Sequence, residues 1–122
     1  MVLVDTSVWV DYLRSGDDTL ARLLTQGQVC IHPMVIGELA CGHLQSRTQL
    51  ISLWLNLPPV VEASNDEALF FLNTHQLMGK GIGWVDLHLL ATTLLSTNVT
   101  LWTRDKRLAQ IAKTLGVGFS NQ

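Results

Sequence analysis

Short apolar runs alternate with longer stretches of helical periodicity along this chain, and no Asn-Gly or Asp-Gly dipeptide joins one run to the next. Two-residue hairpin turns draw on those dipeptides. Without them, successive strands are expected to be linked by crossovers, and crossover helices pack on the faces of a parallel sheet. The pattern predicts strands at 2–4, 28–32, 60–61, 100–103 and 117–119. It predicts helices at 6–13, 17–25, 33–43, 47–56, 65–78, 84–96 and 105–115. Several boundaries have a chemical reason. Pro33 suits the first turn of a helix. Pro58-Pro59 closes another. Ser64-Asn65-Asp66-Glu67 has the spacing of a capping box. Residues 87, 90, 91, 94 and 95 place apolar side chains on one face of the 84–96 helix. The expected fold class is α/β, a central parallel sheet of about four to five strands flanked by helices, in one domain over residues 1–122.

Composition narrows the function classes. Hydrophobic residues make up 48% and charged residues 15%, the opposite of a disordered chain. The longest apolar stretch, LISLWLNLPPVV, is interrupted by Ser52, Asn56 and the proline pair, so no membrane span is expected. Asp5 and Asp11 break the N-terminal apolar run and no basic start precedes it, unlike a signal peptide. Cys30 and Cys41 form neither a CxxC pair nor a disulfide framework. A cytoplasmic protein with reduced thiols is the expectation. A net charge of −2 excludes a basic coat for nucleic acid. Binding to RNA or DNA would need a local basic patch or bound metal ions.

Open parallel sheets bind ligands beyond the carboxyl ends of their strands. Four of the ten acidic residues fall there. Asp5 follows the first strand, and Asp105 lies two residues past Leu101-Trp102-Thr103. Glu38 sits within the helix after the second strand, and Asp86 in the first turn after a Gly-rich loop. Each has a plainer explanation. Asp5 can cap a helix, Asp86 and Asp105 can complement helix dipoles, and Glu38 can face solvent. Asp11, Asp17, Asp18, Glu62, Asp66 and Glu67 read only as surface or capping groups. Four carboxylates converging without cations would repel one another. Such an oxygen-rich cluster suits Mg²⁺ or Mn²⁺, and a pair of these ions can drive phosphodiester hydrolysis.

The stretches DTSVWVDYLR, GKGIGWVDLHLLATTLL and LWTRDKRLAQIA, with Glu38 between them, together resemble a PIN-domain protein. More narrowly, they resemble the ribonuclease toxin of a VapBC-type toxin–antitoxin pair, from Met1 to about Gly118. The resemblance implies a parallel sheet flanked by helices and Mg²⁺- or Mn²⁺-dependent cleavage of RNA to 5′-phosphate and 3′-hydroxyl ends. It maps the family's acidic quartet onto Asp5, Glu38, Asp86 and Asp105, with Asp5 and Asp86 as principal metal ligands. It maps supporting hydroxyls onto Ser7 and Thr103. It also implies a homodimer and a separately encoded VapB-type antitoxin that occludes the site and helps bind operator DNA.

Arg104, Lys106 and Arg107 flank Asp105. Cations at a helix start oppose its dipole, so they are candidates for holding RNA phosphates, or are simply a solvated basic surface. Gly79-Lys80-Gly81-Ile82-Gly83 lacks the GxxxxGK[ST] order of a phosphate-binding P-loop. It reads as a flexible connection, with Lys80 able to touch RNA. His32, His43, His75 and His88 have no zinc spacing with the cysteines and read as structural. The four tryptophans read as core or interface, with base stacking the alternative. Residues 50–57 read as core or as a groove for a dimer or antitoxin. Two rival functions remain at this level. Aspartyl-phosphate chemistry of the haloacid dehalogenase type wants a DxD, and here Ser7 stands two after Asp5. A binding module without catalysis is opposed by the intact quartet.

Overall fold

The computed structural model describes residues 1–121. Three strands, β1 (Val2–Val4), β2 (Val29–Cys30) and β3 (Thr100–Trp102), form a parallel sheet in the order β2-β1-β3. Leu3 lies opposite Cys30 on one side and Leu101 on the other. All three β1 residues are buried, the continuous apolar run that a central parallel strand needs. The expected strands at 60–61 and 117–119 are reduced to single parallel bridges, Ile31 with Pro59 and Leu101 with Gly118. On the first of these edges Ile31 donates to Pro58 O (3.0 Å) and Val60 donates to Ile31 O (3.1 Å). The next bonds on either side would need an N–H from Pro58 or from Pro33, and proline has none. The sheet therefore has three full strands with a one-residue extension at each edge.

Seven helices surround it: α1 (Thr6–Ser15), α2 (Asp18–Thr25), α3 (Pro33–Ala40), α4 (Arg47–Asn56), α5 (Asn65–Thr74), α6 (Trp84–Leu95) and α7 (Lys106–Thr114). Two caps are those expected from sequence. Asp17 accepts the Leu20 N–H (3.0 Å), and Ser64 and Glu67 exchange side-chain-to-backbone bonds of 3.0 and 2.8 Å. Two helices stop earlier than expected, α3 at Ala40 and α5 at Thr74. In α5, Gln76 takes a left-handed φ of 52°. Leu77 N–H then bonds Leu72 O (3.0 Å) and Gln76 N–H bonds Asn73 O (3.3 Å). That is a Schellman closure with glutamine where glycine is usual. The first glycine of the loop, Gly79, comes only later.

α6 is the central helix. Its residues from Leu87 to Thr93 are all buried, whereas Leu95, expected on the apolar face, is 47% exposed. A helix enclosed on every side must satisfy its polar groups internally. Thr92 Oγ1 accepts the Ala63 N–H (3.0 Å), and Thr93 Oγ1 donates to Leu89 O (2.7 Å).

His32 caps α3, the helix that carries Glu38. Its Nδ1 accepts the Met34 N–H (3.0 Å), so the neutral ring must hold its proton on Nε2. Burial pushes the imidazole below its ordinary value of 6.5; nearby Glu62 opposes the shift and His88 adds to it. An unfolded chain therefore takes up a proton here before the folded one does, and stability is lost as pH falls below about 6.5. The slope approaches about 1.4 kcal/mol per pH unit at most. Thermal unfolding between about pH 7.5 and 5 should show this decline. His32→Asn, which keeps an acceptor at the cap, should flatten it. An unchanged slope in the variant would assign the acid sensitivity to other groups.

Candidate functional site

Asp5 leaves β1 with its N–H on Trp102 O (2.9 Å) and stands at the N-cap position of α1. Its carboxylate does not cap that helix, contrary to one of the readings open from sequence. Instead Oδ2 accepts from Ser7 Oγ (2.7 Å) and Thr103 Oγ1 (2.8 Å). Those hydroxyls are themselves oriented from the backbone. Ser7 Oγ accepts the Arg104 N–H (3.0 Å) and Thr103 Oγ1 accepts the Asp105 N–H (3.1 Å). Each hydroxyl thus has its proton committed to Asp5. The first turn of α1 and the β3–α7 loop are tied together through this buried carboxylate.

The other three acids are anchored by the same logic. Asp86, in the first turn of α6, takes the Gly83 N–H on Oδ2 (3.2 Å). Asp105 caps α7 by taking the Leu108 N–H on Oδ1 (2.9 Å). Glu38, exposed on α3, accepts from Thr6 Oγ1 on Oε1 (2.6 Å). Among the described residues, each of the four carboxylates has one oxygen tied to the scaffold and the other without a partner. Thr6 was not singled out from sequence; its place between Asp5 and Ser7 at the start of a helix was the available signal.

Asp86 is within electrostatic reach of the other three acids. Burial raises its pKa, the Gly83 N–H opposes that, and the charges of Asp5, Asp105 and Glu38 raise it further. Among the described residues, no three His, Cys, Asp or Glu side chains are gathered tightly enough to form a ready-made metal cage. Mutual repulsion of four anions works against such closeness. The donor set nevertheless fits a hard divalent cation: oxygen only, carboxylates on rigid elements, one free oxygen from each.

A chain that folds this way has known counterparts. The PIN domain family profile matches residues 2–114, from β1 to the last residue of α7, so all four acids lie inside the match. This chain belongs to the PIN-domain family. Ribonuclease VapC32 of Mycobacterium tuberculosis is 39% identical to it over 122 residues, all of this chain and 98% of the relative. The figures are the same for strain CDC 1551 / Oshkosh and strain ATCC 25618 / H37Rv. Full-length likeness at that level places this PIN domain among the VapC proteins. No helix among the described residues is long and apolar enough to cross a membrane.

The basic residues near the PIN-domain acids divide into two groups. Arg104 is held by Asp11 (3.1 Å) and Asp17 (2.7 Å), with its guanidinium 5.8 Å from the centre of the Trp102 ring. Lys80, Lys106 and Arg107 line a shared cleft. In the connection at 79–83 the Arg107 side chain lies over Gly81, whose φ is +83°. A side chain there would be strained as well as obstructed.

Replacing Thr103 with Val removes one of the two hydroxyls on Asp5 and leaves the Asp105 N–H without its acceptor. Groups that orient a metal-ligating side chain typically contribute about 10–100-fold in metal affinity or activity. With Asp5 as a metal ligand, Thr103→Val is expected to lose that much in metal affinity, with Ser7→Ala at the lower end. Metal titrations of both variants against the wild type would check it. Wild-type midpoints and rates in both would show that Asp5 is oriented without them.

Proposed function

We propose that this chain is a metal-dependent ribonuclease toxin that hydrolyses RNA phosphodiester bonds and is neutralised by a cognate VapB-type antitoxin. The observation that carries the reading is the free oxygen on each of four anchored carboxylates whose charges meet at Asp86. In this reading Asp5 and Asp86 are the principal ligands for Mg²⁺ or Mn²⁺, and Glu38 and Asp105 complete the set. When bound, such a cation supplies Lewis-acid charge at the phosphate and makes water acidic enough to attack it. The chain's own residues do the rest. Ser7 and Thr103 fix the Asp5 carboxylate, Gly83 fixes Asp86, and Thr6 fixes Glu38. Hydrolysis breaks the P–O3′ bond, leaving a 5′-phosphate and a 3′-hydroxyl.

The naming of VapC32 as a ribonuclease supports the same chemistry here. A homodimer and an antitoxin would cover apolar side chains that stay exposed, among them Leu53 and Leu55 on α4 and Leu69 and Phe70 on α5. In this reading operator DNA is reached through the antitoxin, and the protein works in the cytoplasm on RNA.

Purified, antitoxin-free protein incubated with total cellular RNA should cut it with Mn²⁺ or Mg²⁺ and not with a chelator. End mapping then names the target. Asp86→Asn should abolish the cuts. Intact RNA under every condition, from protein shown to be folded, would favour a binding module without catalysis. Cuts that persist in Asp86→Asn would point to a contaminating nuclease.

A further inference from the structure

A cleft of about 460 Å³ opens between α7 and the connection that follows α5. Its floor is apolar, formed by Leu77, Ile111 and Leu115. Its rim carries Lys80, Lys106 and Arg107, three of the eight Lys and Arg residues in a chain of net charge −2. Lys106 and Arg107 directly follow Asp105 at the start of α7, so the rim of the cleft begins at the helix that this acid caps. The remaining lining is polar and suited to recognition. His75 holds its ring nearly parallel to Phe71, at 5.8 Å and 6°, so a flat plate forms part of the wall. Gln110, exposed on α7, has its Nε2 3.3 Å from Thr114 Oγ1.

We propose that this cleft seats one unpaired base of the RNA beside the scissile phosphate and that Gln110 reads its edge. The proposal rests on the ribonuclease reading above and names a specificity element for it. Its support is the match of chemistries. A base is flat and apolar on its faces, and its neighbours in the strand are anionic. An apolar floor inside a rim of cations complements both parts at once. The volume lies in the usual range for small-ligand pockets. Sequence-specific RNA recognition draws on splayed, unpaired bases, stacked on aromatic rings and hydrogen-bonded at their edges. A glutamine amide offers one donor and one acceptor to such an edge, and surface lysines do not. The Arg107 side chain lies over Gly81, so the loop that carries Lys80 and the helix that carries Gln110 meet at this rim.

Two measurements test this on the full chain. In metal-free buffer, AMP, GMP, CMP and UMP are titrated separately and followed by NMR. Amide shifts are expected at Leu77, Gln110 and Ile111, larger for one nucleotide than for the other three, and the ranking should vanish in Gln110→Ala. In the second, random-sequence RNA is cut in Mn²⁺ by the wild type and by Gln110→Ala. The wild type should show an about tenfold preference at one position next to the cut, and the variant should lose it at that position alone. Cleavage with wild-type preference at every position in Gln110→Ala would overturn the proposal. So would the absence of shifts at these residues with all four nucleotides while the wild type still cuts RNA. Folded wild type that leaves RNA intact would sink the ribonuclease reading itself, and this substrate subsite with it.

Discussion

Asp5→Asn is expected to abolish metal-dependent RNA cleavage while leaving the metal-free protein at least as stable as the wild type. Loss of a group that merely supports a ligand costs about 10–100-fold, so loss of a principal ligand should exceed that. The stability half follows from the hydrogen bonds. Asp5 is buried, and its Oδ2 accepts from both Ser7 and Thr103. An asparagine oxygen can accept the same two bonds, so the scaffold is kept. One negative charge that bears on Asp86 is removed, which relieves repulsion. The net change in unfolding free energy is expected within about 1 kcal/mol of zero or in the stabilising direction. Adding Mn²⁺ separates the two proteins further. A ligand at 100 times its dissociation constant stabilises the state that binds it by about 2.7 kcal/mol, and only the wild type should gain that. Single-turnover cleavage and thermal unfolding with and without chelator give all three readings. A melting temperature many degrees lower in the chelated variant would mark Asp5 as chiefly structural.

The candidate site was legible largely because strand ends and helix starts are legible. A three-residue apolar run that stops at an acid places Asp5 at a sheet edge without knowledge of the rest of the fold. The same reasoning located Asp105 at the start of α7 and Asp86 in the first turn of α6. Glu38 followed from Pro33, which sets where α3 begins. What sequence could not give was the use of each oxygen. Asp5 has the composition of a cap and the position of a cap, yet its carboxylate turns to two hydroxyls, one of them 98 residues away. Local propensity cannot see a partner at that distance. Arg104 is a similar case: its neighbours in sequence suggest a phosphate contact, and its neighbours in space are Asp11 and Asp17. The misplaced ends have the same origin. The 65–78 helix expected up to the Gly-rich connection ends at Thr74, because Gln76 closes it by accepting a left-handed φ. The expected strand at 60–61 builds no full ladder with β2, because the bonds flanking the Ile31–Pro59 bridge fall on Pro58 and Pro33, which have no N–H.

Trp54→Ala is expected to cost several kcal/mol of stability, and it tests the scaffold as Asp5→Asn tests the chemistry. On α4, Trp54 is fully buried while its neighbours Leu53 and Leu55 are 41% and 66% exposed. Its ring meets that of Trp9 on α1 edge-on, at 5.9 Å and 74°, and Trp9 meets Tyr12 in the same manner at 5.9 Å. The pair thereby joins α4 to the helix whose first turn holds Thr6 and Ser7. Truncation of a buried tryptophan to alanine costs about 3–5 kcal/mol, because the space left behind only partly collapses. For a chain of this size that lowers the melting temperature by more than about 10 °C. Trp54→Phe should be much milder. The indole N–H of Trp54 has no acceptor among the described residues, so its removal relieves an unsatisfied buried donor and offsets part of the lost packing. Differential scanning calorimetry of the two variants would distinguish these costs. A loss in Trp54→Phe as large as in Trp54→Ala would mean that the indole N–H is satisfied in solution, through water. Below its own melting temperature, Trp54→Ala should still cleave RNA, because none of the four acids or their anchoring hydroxyls lies on α4. A protein that is weakened but active, beside one that is sturdy but inert, separates the groups that hold the edge in place from the groups that act there.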